Sequence, residues 1–199
     1  MSEKPFAESC EQNRAPILAV LKEVFADRRR VLEIGSGTGQ HAVYFGAELP
    51  QLTWQTGDVA SHHAGIRMWL EEAGLVNVLP PIALDVCRAD WRGGAYDAVF
   101  SANTLHIMSW PEVECFFAGV GDVLESDGVL AVYGPFNYGG AFTSASNARF
   151  DAWLKARDPA SGVRDFEAVD ALATAQGLVL QRDFAMPANN RTLVWRRTR

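Results

Sequence analysis

The chain has 199 residues, of which 48% are hydrophobic and 21% are charged, and its formal net charge is −6. This length and composition are typical of an ordinary globular protein, so we predict a single domain over residues 1–199. The negative charge opposes binding to nucleic acid, and no segment approaches the ~20 consecutive apolar residues of a membrane span. The amino terminus lacks the apolar core of a secretory signal, which predicts a cytoplasmic protein.

The cysteines and histidines give no metal-binding pattern. Cys10, Cys87 and Cys115 are widely separated and lie outside any Cys-x-x-Cys motif, which predicts free thiols. No two histidines have the i, i+4 spacing of a helical metal site. We therefore predict no metal, and we assign the doublet His62-His63 to the solvated surface.

Helix-like and strand-like segments alternate along the chain. The spacing of the apolar residues over 17–25 predicts a first helix, with Pro16 in its first turn. A capping box at Ser109 and Glu112 marks the start of a later helix. The predicted strands cover residues 30–34, 52–58, 81–86, 96–103 and 128–134, and the further helices cover 41–49, 65–73, 110–123, 147–158 and 166–176.

The end of the chain breaks this alternation. Residues 178–186 and 191–197 are both strand-like, and the four residues between them are too few for a helical crossover. They predict an antiparallel hairpin. The whole pattern predicts an α/β fold with a doubly wound, seven-stranded, mostly parallel sheet whose last strand is antiparallel.

Three glycines, Gly35, Gly37 and Gly39, follow the first strand. In an open α/β sheet a ligand binds beyond the carboxyl ends of the strands, where the winding reverses. Glycines there permit a sharp turn and let the backbone approach a ligand, and the next helix offers free N–H groups. The loop therefore predicts a nucleotide-like cofactor, although a glycine turn without a ligand is the alternative.

The spacing of the loop distinguishes among cofactors. The dinucleotide motif G-x-G-x-x-G needs glycine or alanine at position 40, where this chain has Gln40. A phosphate-binding P-loop would end in lysine followed by serine or threonine, and this loop does not.

The segment Glu33-Ile34-Gly35-Ser36-Gly37-Thr38-Gly39 instead resembles class I S-adenosylmethionine-dependent methyltransferases, which have a Rossmann-like fold and an antiparallel seventh strand. Acidic residues that end the second and third strands fit the same resemblance. Further motifs resemble the methyltransferase-like 26 family, a group of domains of unknown function: Glu11-Gln12-Asn13-Arg14, Gly39-Gln40-His41, Asn103-x-x-His106, Tyr133-Gly134-Pro135, Ser146-Asn147-x-x-Phe150-Asp151 and Met186-Pro187-Ala188-Asn189-Asn190. That family usually has arginine where this chain has Gln12.

The resemblance implies S-adenosyl-L-methionine as the cofactor and a set of residues that bind it. Glu33 would lie near its amino group, Asp58 would bind the ribose hydroxyls, and Asp85 would face the adenine amino group. Asp58 could instead cap a helix, and Asp85 could be an ordinary loop aspartate. The other implied cofactor residues are Gly35, Ser36, Gly37 and Gly39 in the loop, the backbone of Val86, and Asn103.

The candidate catalytic residues are His106, Asn103, Tyr133, Asn189 and Asn190. His106 could accept a proton, or its ring could only stabilise its loop. The two asparagines of the hairpin turn are candidate substrate contacts, and they also suit ordinary turn chemistry.

Candidate residues outside this set are Asn137 and Tyr138 as substrate contacts, and Asn13 and Arg14, placed before the first helix, as a lid over the cofactor.

The resulting hypothesis is a cytoplasmic methyltransferase that acts on a small molecule, with neither a membrane nor a nucleic acid as partner. One alternative is a non-catalytic S-adenosylmethionine-binding module that works through a protein partner. Another is a nicotinamide-dependent oxidoreductase, which Gln40 and the terminal hairpin disfavour. The methyl acceptor, the use of a base, the oligomeric state and a lid role for residues 135–147 stay open.

Overall fold

The computed structural model describes residues 3–88, 91 and 94–198. Its helices are α1 (Glu8–Val24), α2 (Gln40–Glu48), α3 (His63–Ala73), α4 (Trp110–Val123), α5 (Ala145–Arg157) and α6 (Phe166–Ala175). Its strands are β1 (Arg30–Ile34), β2 (Thr53–Asp58), β3 (Val78–Ala83), β4 (Tyr96–Ala102), β5 (Leu124–Gly134), β6 (Phe136–Asn137), β7 (Arg164–Asp165), β8 (Leu178–Met186) and β9 (Asn190–Arg197).

Seven strands form one twisted sheet in the order β3-β2-β1-β4-β5-β9-β8. The first five of these strands pair in parallel, and β9 is antiparallel to both of its neighbours, β5 and β8. The winding reverses between β1 and β4, because the chain first builds outward to β3 and then returns to the other side of β1. This arrangement confirms the predicted α/β fold with an antiparallel last strand.

The sheet is covered on both faces, because neighbouring residues of its strands point to opposite sides. Val31 belongs to a core with α1 and α2 on one face, whereas Leu32 belongs to a core with α4 and α6 on the other. The first core contains a cluster of fully buried rings, Phe45, Trp54 and Phe100, whose centroids lie 5.5–5.7 Å apart. Burial on both faces explains why the inner strands are almost continuously apolar.

The first helix differs from its prediction. α1 begins at Glu8, so Pro16 lies inside the helix and not in its first turn. Residues 8–15 are mostly polar and show no apolar period, which is why the sequence did not indicate this half. Tertiary contacts hold it instead: Gln40 Oε1 accepts a hydrogen bond from the Ala7 backbone N–H at 2.6 Å, and Gln40 Nε2 donates to Glu11 at 3.0 Å.

The prediction of three free thiols is also wrong. Cys87 and Cys115 form a disulfide, with their Cα atoms 5.1 Å apart, and Cys10 is free. The bond joins the loop after β3 to α4. The two cysteines are 28 residues apart in sequence, so only the packing of α4 beside the sheet brings them together.

The predicted boundaries of the helices and strands are partly confirmed. Ser109 and Glu112 form the capping box of α4. β3 ends at Ala83, two residues before the predicted Asp85, and β5 begins at Leu124, four residues earlier than predicted. Among the described residues, no helix is both long enough and apolar enough to cross a membrane.

Breaking the disulfide should destabilise the fold. Since it closes a loop of about 28 residues, its loss should lower the free energy of unfolding by about 2–4 kcal/mol. Urea unfolding with and without a reductant measures this difference. In the double variant Cys87→Ser, Cys115→Ser, the reductant should not change the free energy of unfolding. In the control variant Cys10→Ser, the reductant should lower it as in the unsubstituted protein. Equal stability of the unsubstituted protein in both conditions contradicts the prediction.

Candidate functional site

The carboxyl ends of β1, β2 and β4 meet at one edge of the sheet, and a cavity of about 430 Å³ opens there. We call it the glycine-loop cavity. The residues that line it are Ala7, Ser9, Cys10, Ile34, Gly35, Ser36, Gly37, Thr38, His41, Asp58, Val59, His62, Leu84, Asp85, Val86, Ala102, Asn103, Thr104, Ile107, Met108 and Glu112. The predicted cofactor residues Gly35, Ser36, Gly37, Asp58, Asp85, Val86 and Asn103 are among them, whereas Glu33 and Gly39 are not.

A side chain would meet different surroundings at each of the three glycine positions of the loop. All three have positive φ angles. A Cβ at Gly35 would lie 2.8 Å from the Thr104 side chain, and one at Gly39 would lie 3.1 Å from the backbone of Ile66 in α3. A Cβ at Gly37 would meet no atom within 4 Å. Gly35 and Gly39 therefore permit close packing, and Gly37 leaves open space beside the cavity.

Asp58 ties this loop to the end of β2. Its Oδ2 accepts a hydrogen bond from the Gly37 backbone N–H at 2.6 Å, and its Oδ1 accepts one from Val59 N–H at 2.7 Å. His62 Nδ1 lies 2.8 Å from Oδ1, and His63 Nε2 lies 2.9 Å from the Asp58 carbonyl oxygen. His62 is exposed, as predicted for the doublet, and His63 is partly exposed. A short 3₁₀ turn after β2 nevertheless brings both rings within hydrogen-bond distance of Asp58, which the sequence did not indicate.

Glu33 lies behind the cavity wall. Its Oε2 accepts hydrogen bonds from the Ser36 hydroxyl at 2.8 Å and from the Trp54 indole at 3.2 Å. Burial raises the pKa of the Glu33 carboxyl to about 7, the hydrogen bonds from Ser36 and Trp54 lower it, and the charge of Asp58 raises it further. The predicted contact between Glu33 and a cofactor amino group stays a prediction.

The first turns of α1 cover the glycine-loop cavity. Ala7, Ser9 and Cys10 contribute to its lining. Burial raises the pKa of the Cys10 thiol to about 11, so the thiol is protonated at neutral pH. Asn13 and Arg14 had been expected to precede the first helix as a lid. They lie inside α1, and Ala7, Ser9 and Cys10 line the cavity instead.

A second cavity, of about 540 Å³, adjoins the first. We call it the asparagine cavity. Ser9 and Asn103 line both cavities, so the two share a boundary at these residues. The residues that line it are Ser9, Gln12, Asn13, Pro16, Asn103, Tyr133, Pro135, Ser146, Asn147, Phe150, Pro187, Ala188 and Asn190.

Asn103, at the boundary of the two cavities, has an unusual backbone conformation. Its φ angle is 57°, in the left-handed region that asparagine tolerates better than most residues. Its backbone N–H donates to the Tyr133 carbonyl oxygen at 2.9 Å, which continues the pairing of β4 with β5 for one residue. The end of β4 thereby positions Asn103 between the two cavities.

A buried hydrogen bond connects the walls of the two cavities. His41 Nε2 lies 2.7 Å from Asn13 Oδ1, and because an amide oxygen only accepts, His41 carries its proton on Nε2. Burial lowers the pKa of His41 to about 4, and the charge of Arg14 adds to this, so the ring is neutral near pH 7. Burial raises the pKa of Tyr133, while hydrogen bonds from Asn13 and Asn190 act in the opposite direction.

Two of the predicted catalytic residues line neither cavity. His106 is buried beside Phe150, at a centroid distance of 5.1 Å, and burial and the charge of Arg164 lower its pKa to about 4. Asn189 lies in the turn before β9, where its side chain donates to the Ser146 hydroxyl at 3.2 Å and its carbonyl oxygen accepts from Asn147. Their catalytic roles stay predictions.

The other proposed substrate contacts, Asn137 and Tyr138, also lie outside both linings. Asn137 is buried on β6, and Tyr138 donates a hydrogen bond to Asp183 at 2.8 Å. Within residues 135–147, only Pro135, Ser146 and Asn147 line the asparagine cavity.

Sequence reasoning missed several lining residues, above all Cys10, His41, His62 and Glu112. His62 carried a weak signal, because it is four residues after Asp58. His41 lay in a quoted motif but had no assigned role. Cys10 and Glu112 belong to helices far from the glycine loop in sequence, so nothing local indicated their place.

The Glu33 carboxyl should make stability depend on pH. Its pKa rises from 4.5 to about 7 on folding, so between these values the native state binds more protons than the unfolded chain and stability falls as the pH rises. The isosteric variant Glu33→Gln lacks this carboxyl and therefore this loss. As the pH rises from 4.5 to 8, its free energy of unfolding should increase by about 3 kcal/mol relative to that of the unsubstituted protein.

Urea unfolding of both proteins at a series of pH values measures this difference. His41 and His106, whose lowered pKa values give the opposite slope, are present in both proteins and cancel in the comparison. A constant difference between the two proteins across this range rules out a raised pKa at Glu33.

Comparison with solved structures places the fold among methyltransferases. An O-methyltransferase family protein from Burkholderia thailandensis superposes with a TM-score of 0.83 at 20% identity, over 92% of this chain and 56% of that one. An O-methyltransferase family 2 protein from Planctomyces limnophilus in complex with apigenin gives 0.84 at 14% identity, over 96% and 58%. The structure described as PigF with SAH gives 0.78 at 16% identity, over 96% and 64%.

At these identities the similarity establishes the fold, and this chain spans little more than half the length of the solved proteins. The narrower resemblance to the methyltransferase-like 26 family stays a prediction. Residues 4–197 match a family over nearly the whole chain. The chain therefore belongs to the family described as "Protein of unknown function (DUF938)".

Proposed function

We propose that residues 1–199 form one domain that binds S-adenosyl-L-methionine in the glycine-loop cavity and transfers its methyl group to a small molecule in the asparagine cavity. The observation that carries this proposal is the shared boundary of the two cavities at Ser9 and Asn103, on a methyltransferase fold. A transferase for two small molecules needs two adjoining sites of this kind.

The chemistry of the glycine-loop cavity fits this cofactor. Its lining includes the acidic residues Asp58, Asp85 and Glu112, and no lysine or arginine is among the described residues that line it. Such a wall attracts cationic groups and accepts hydrogen bonds from hydroxyls. The open space beside Gly37, where a Cβ would meet no atom within 4 Å, leaves room for a ligand against the backbone.

We assign roles to the lining residues on this basis. Asp58 would hold the ribose hydroxyls, while its bonds to Gly37 and Val59 keep the carboxylate fixed. Asp85 is exposed at the opposite wall, where it would face the adenine amino group beside Val86. Asn103 would contact the methionine end at the boundary with the second cavity.

When bound, the cofactor would supply a methyl group already activated by its sulfonium sulfur. The protein would then contribute alignment and exclusion of water, and such positioning can lower a barrier by roughly 7–11 kcal/mol. Ala7, which precedes α1, and Ser9 and Cys10 in its first turn would exclude water beside the glycine loop. Tyr133 and Asn190, which line the asparagine cavity, would orient the acceptor.

This arrangement does not depend on a strong general base. His106 lines neither cavity and its pKa is lowered to about 4, so we propose that it supports the ring of Phe150. We expect that replacing it alters the fit of the acceptor, seen in KM, more than the pH dependence of turnover. An acceptor that needs no strong base suits this site.

Binding of S-adenosylmethionine is the first test. At a concentration about 100 times its dissociation constant, a ligand adds about 2.7 kcal/mol to the stability of the native state. A thermal-shift comparison should therefore show stabilisation by S-adenosylmethionine and its demethylated product, and none by a nicotinamide cofactor. Stabilisation by the nicotinamide cofactor alone overturns the proposal. Release of the demethylated product in the presence of acceptors then separates an enzyme from a binding module.

Asp58→Asn should weaken binding of S-adenosylmethionine by about 10- to 100-fold, because a charged acceptor of two hydrogen bonds becomes a neutral amide. Isothermal titration calorimetry measures the affinity. Asp27→Asn is the matched control, because Asp27 is exposed before β1 at the opposite end of the strand and should leave the affinity unchanged. Equal affinities of the two variants, with both folded by circular dichroism, contradict the assignment of Asp58.

A further inference from the structure

Among the described residues, no charged side chain lines the asparagine cavity. Every residue of its lining, as defined above, is neutral near pH 7, and its one ionisable side chain is Tyr133, whose pKa burial raises. Several charged residues adjoin lining residues in sequence, but they are not part of the lining. Three of them are paired with another side chain: Arg14 lies 2.7 Å from Glu11, Asp151 lies 2.7 Å from Lys155, and Arg191 lies 2.6 Å from Asp183.

An ionised ligand group in this cavity would lose water without gaining a counter-charge. Such desolvation costs several kcal/mol unless an opposite charge or several hydrogen bonds offset it. The contrast with the neighbouring glycine-loop cavity is clear, because three carboxylates line that one. The two cavities therefore select ligands of different charge.

The buried side-chain amide of Asn147 indicates which hydrogen-bonding role a ligand group would have beside it. Asn147 is 5% exposed, and its Nδ2 donates both of its protons, to Thr143 Oγ1 at 3.0 Å and to the Asn189 carbonyl oxygen at 3.1 Å. No donor to its Oδ1 occurs among the described residues. Asn147 lines the cavity, and this oxygen is therefore available to accept a hydrogen bond from a ligand there.

The rest of the cavity suits an apolar or aromatic body. The ring of Phe150 contacts His106 edge to face, with centroids 5.1 Å apart, and stacks with Trp153 at 5.8 Å. Three proline rings add further apolar surface to the walls: Pro16, Pro135 and Pro187. A planar ligand can stack on Phe150 while a polar group at its edge reaches Asn147.

We infer that the methyl acceptor is an uncharged molecule with an apolar or aromatic body and a hydroxyl or N–H group that donates a hydrogen bond to Asn147 Oδ1. This inference rests on the proposed function, because it names the chemical class of the acceptor in the same site.

Three probes that differ only in charge test the inference on the full chain with S-adenosylhomocysteine present. They are 4-hydroxybenzyl alcohol, 4-hydroxybenzoate and 4-hydroxybenzylamine, which are neutral, anionic and cationic near pH 7. The neutral probe should bind about tenfold or more tightly than either charged probe by ligand-observed NMR titration. Equal or tighter binding of a charged probe overturns the inference, as does failure of all three to bind at about 10 mM.

Substitutions at Gln12 that introduce opposite charges should shift the charge preference of the asparagine cavity in opposite directions. Gln12 is exposed at the rim of the cavity and makes no side-chain hydrogen bond among the described residues, so the fold should tolerate a change. Gln12→Glu should tighten binding of the amine and weaken that of the carboxylate, each by about 3- to 10-fold, and Gln12→Arg should do the reverse. Gln51→Glu, at an exposed position far from the cavity, is the matched control and should change neither.

Asn147→Ala should weaken the neutral probe by about 5- to 30-fold through loss of the acceptor oxygen. Unchanged affinity of this variant, with its fold verified by circular dichroism, contradicts the role of Asn147.

Calorimetry with S-adenosylmethionine on the same samples separates the two proposals. If the cofactor binds but a charged probe is preferred, the inference fails and the proposed function stands. If the cofactor does not bind, the proposed function fails whichever probe is preferred.

Discussion

The site depends on the parallel pairing of β1 with both β2 and β4. This pairing places the reversal of winding at β1, so three strands end together and the loop after β1 has free space above it. The loop is then fixed from the side of β2. The Gly57 carbonyl oxygen accepts from the backbone N–H groups of Gly35 and Ser36, and Asp58 accepts from Gly37. The glycine turn is thus a property of two strands and not of one segment.

α1 forms part of both cavities, which explains its polar first half. Ser9 and Cys10 line the glycine-loop cavity, and Ser9, Gln12, Asn13 and Pro16 line the asparagine cavity. Gln40 anchors the start of this helix through hydrogen bonds to Ala7 and Glu11. The side chain that excluded a dinucleotide motif therefore has a structural task, which is to hold the cover of the cavity against the glycine loop.

The two cavities differ in charge across a short distance. Carboxylates line the first and amides line the second, and the buried bond between His41 and Asn13 links their walls without adding charge, because His41 is neutral. A cationic cofactor and a neutral acceptor would each find the environment that suits them. The same difference opposes exchange of the two ligands between the sites.

The sequence alone determined the features that local chemistry controls. Alternating segments, the glycine loop, the capping box at Ser109 and the short turn between β8 and β9 each leave a pattern within a few residues. From these patterns the sheet and its reversed strand followed. The resemblance to methyltransferases implied nine cofactor-binding candidates, and seven of the nine line the glycine-loop cavity. The resemblance supplied their roles, since the residues by themselves indicate only a nucleotide-like ligand.

Only the tertiary structure decided what distant segments do together. The first half of α1 is held by Gln40, and the disulfide joins a loop to α4, so neither had a local signal. The asparagine cavity combines α1, the ends of β4 and β5, α5 and the final turn, and His106 was excluded from it by the position of Phe150. The physical reason is that the order of strands in the sheet, and the layer in which each helix packs, determine which residues meet, and this order is not written in any short stretch of the chain.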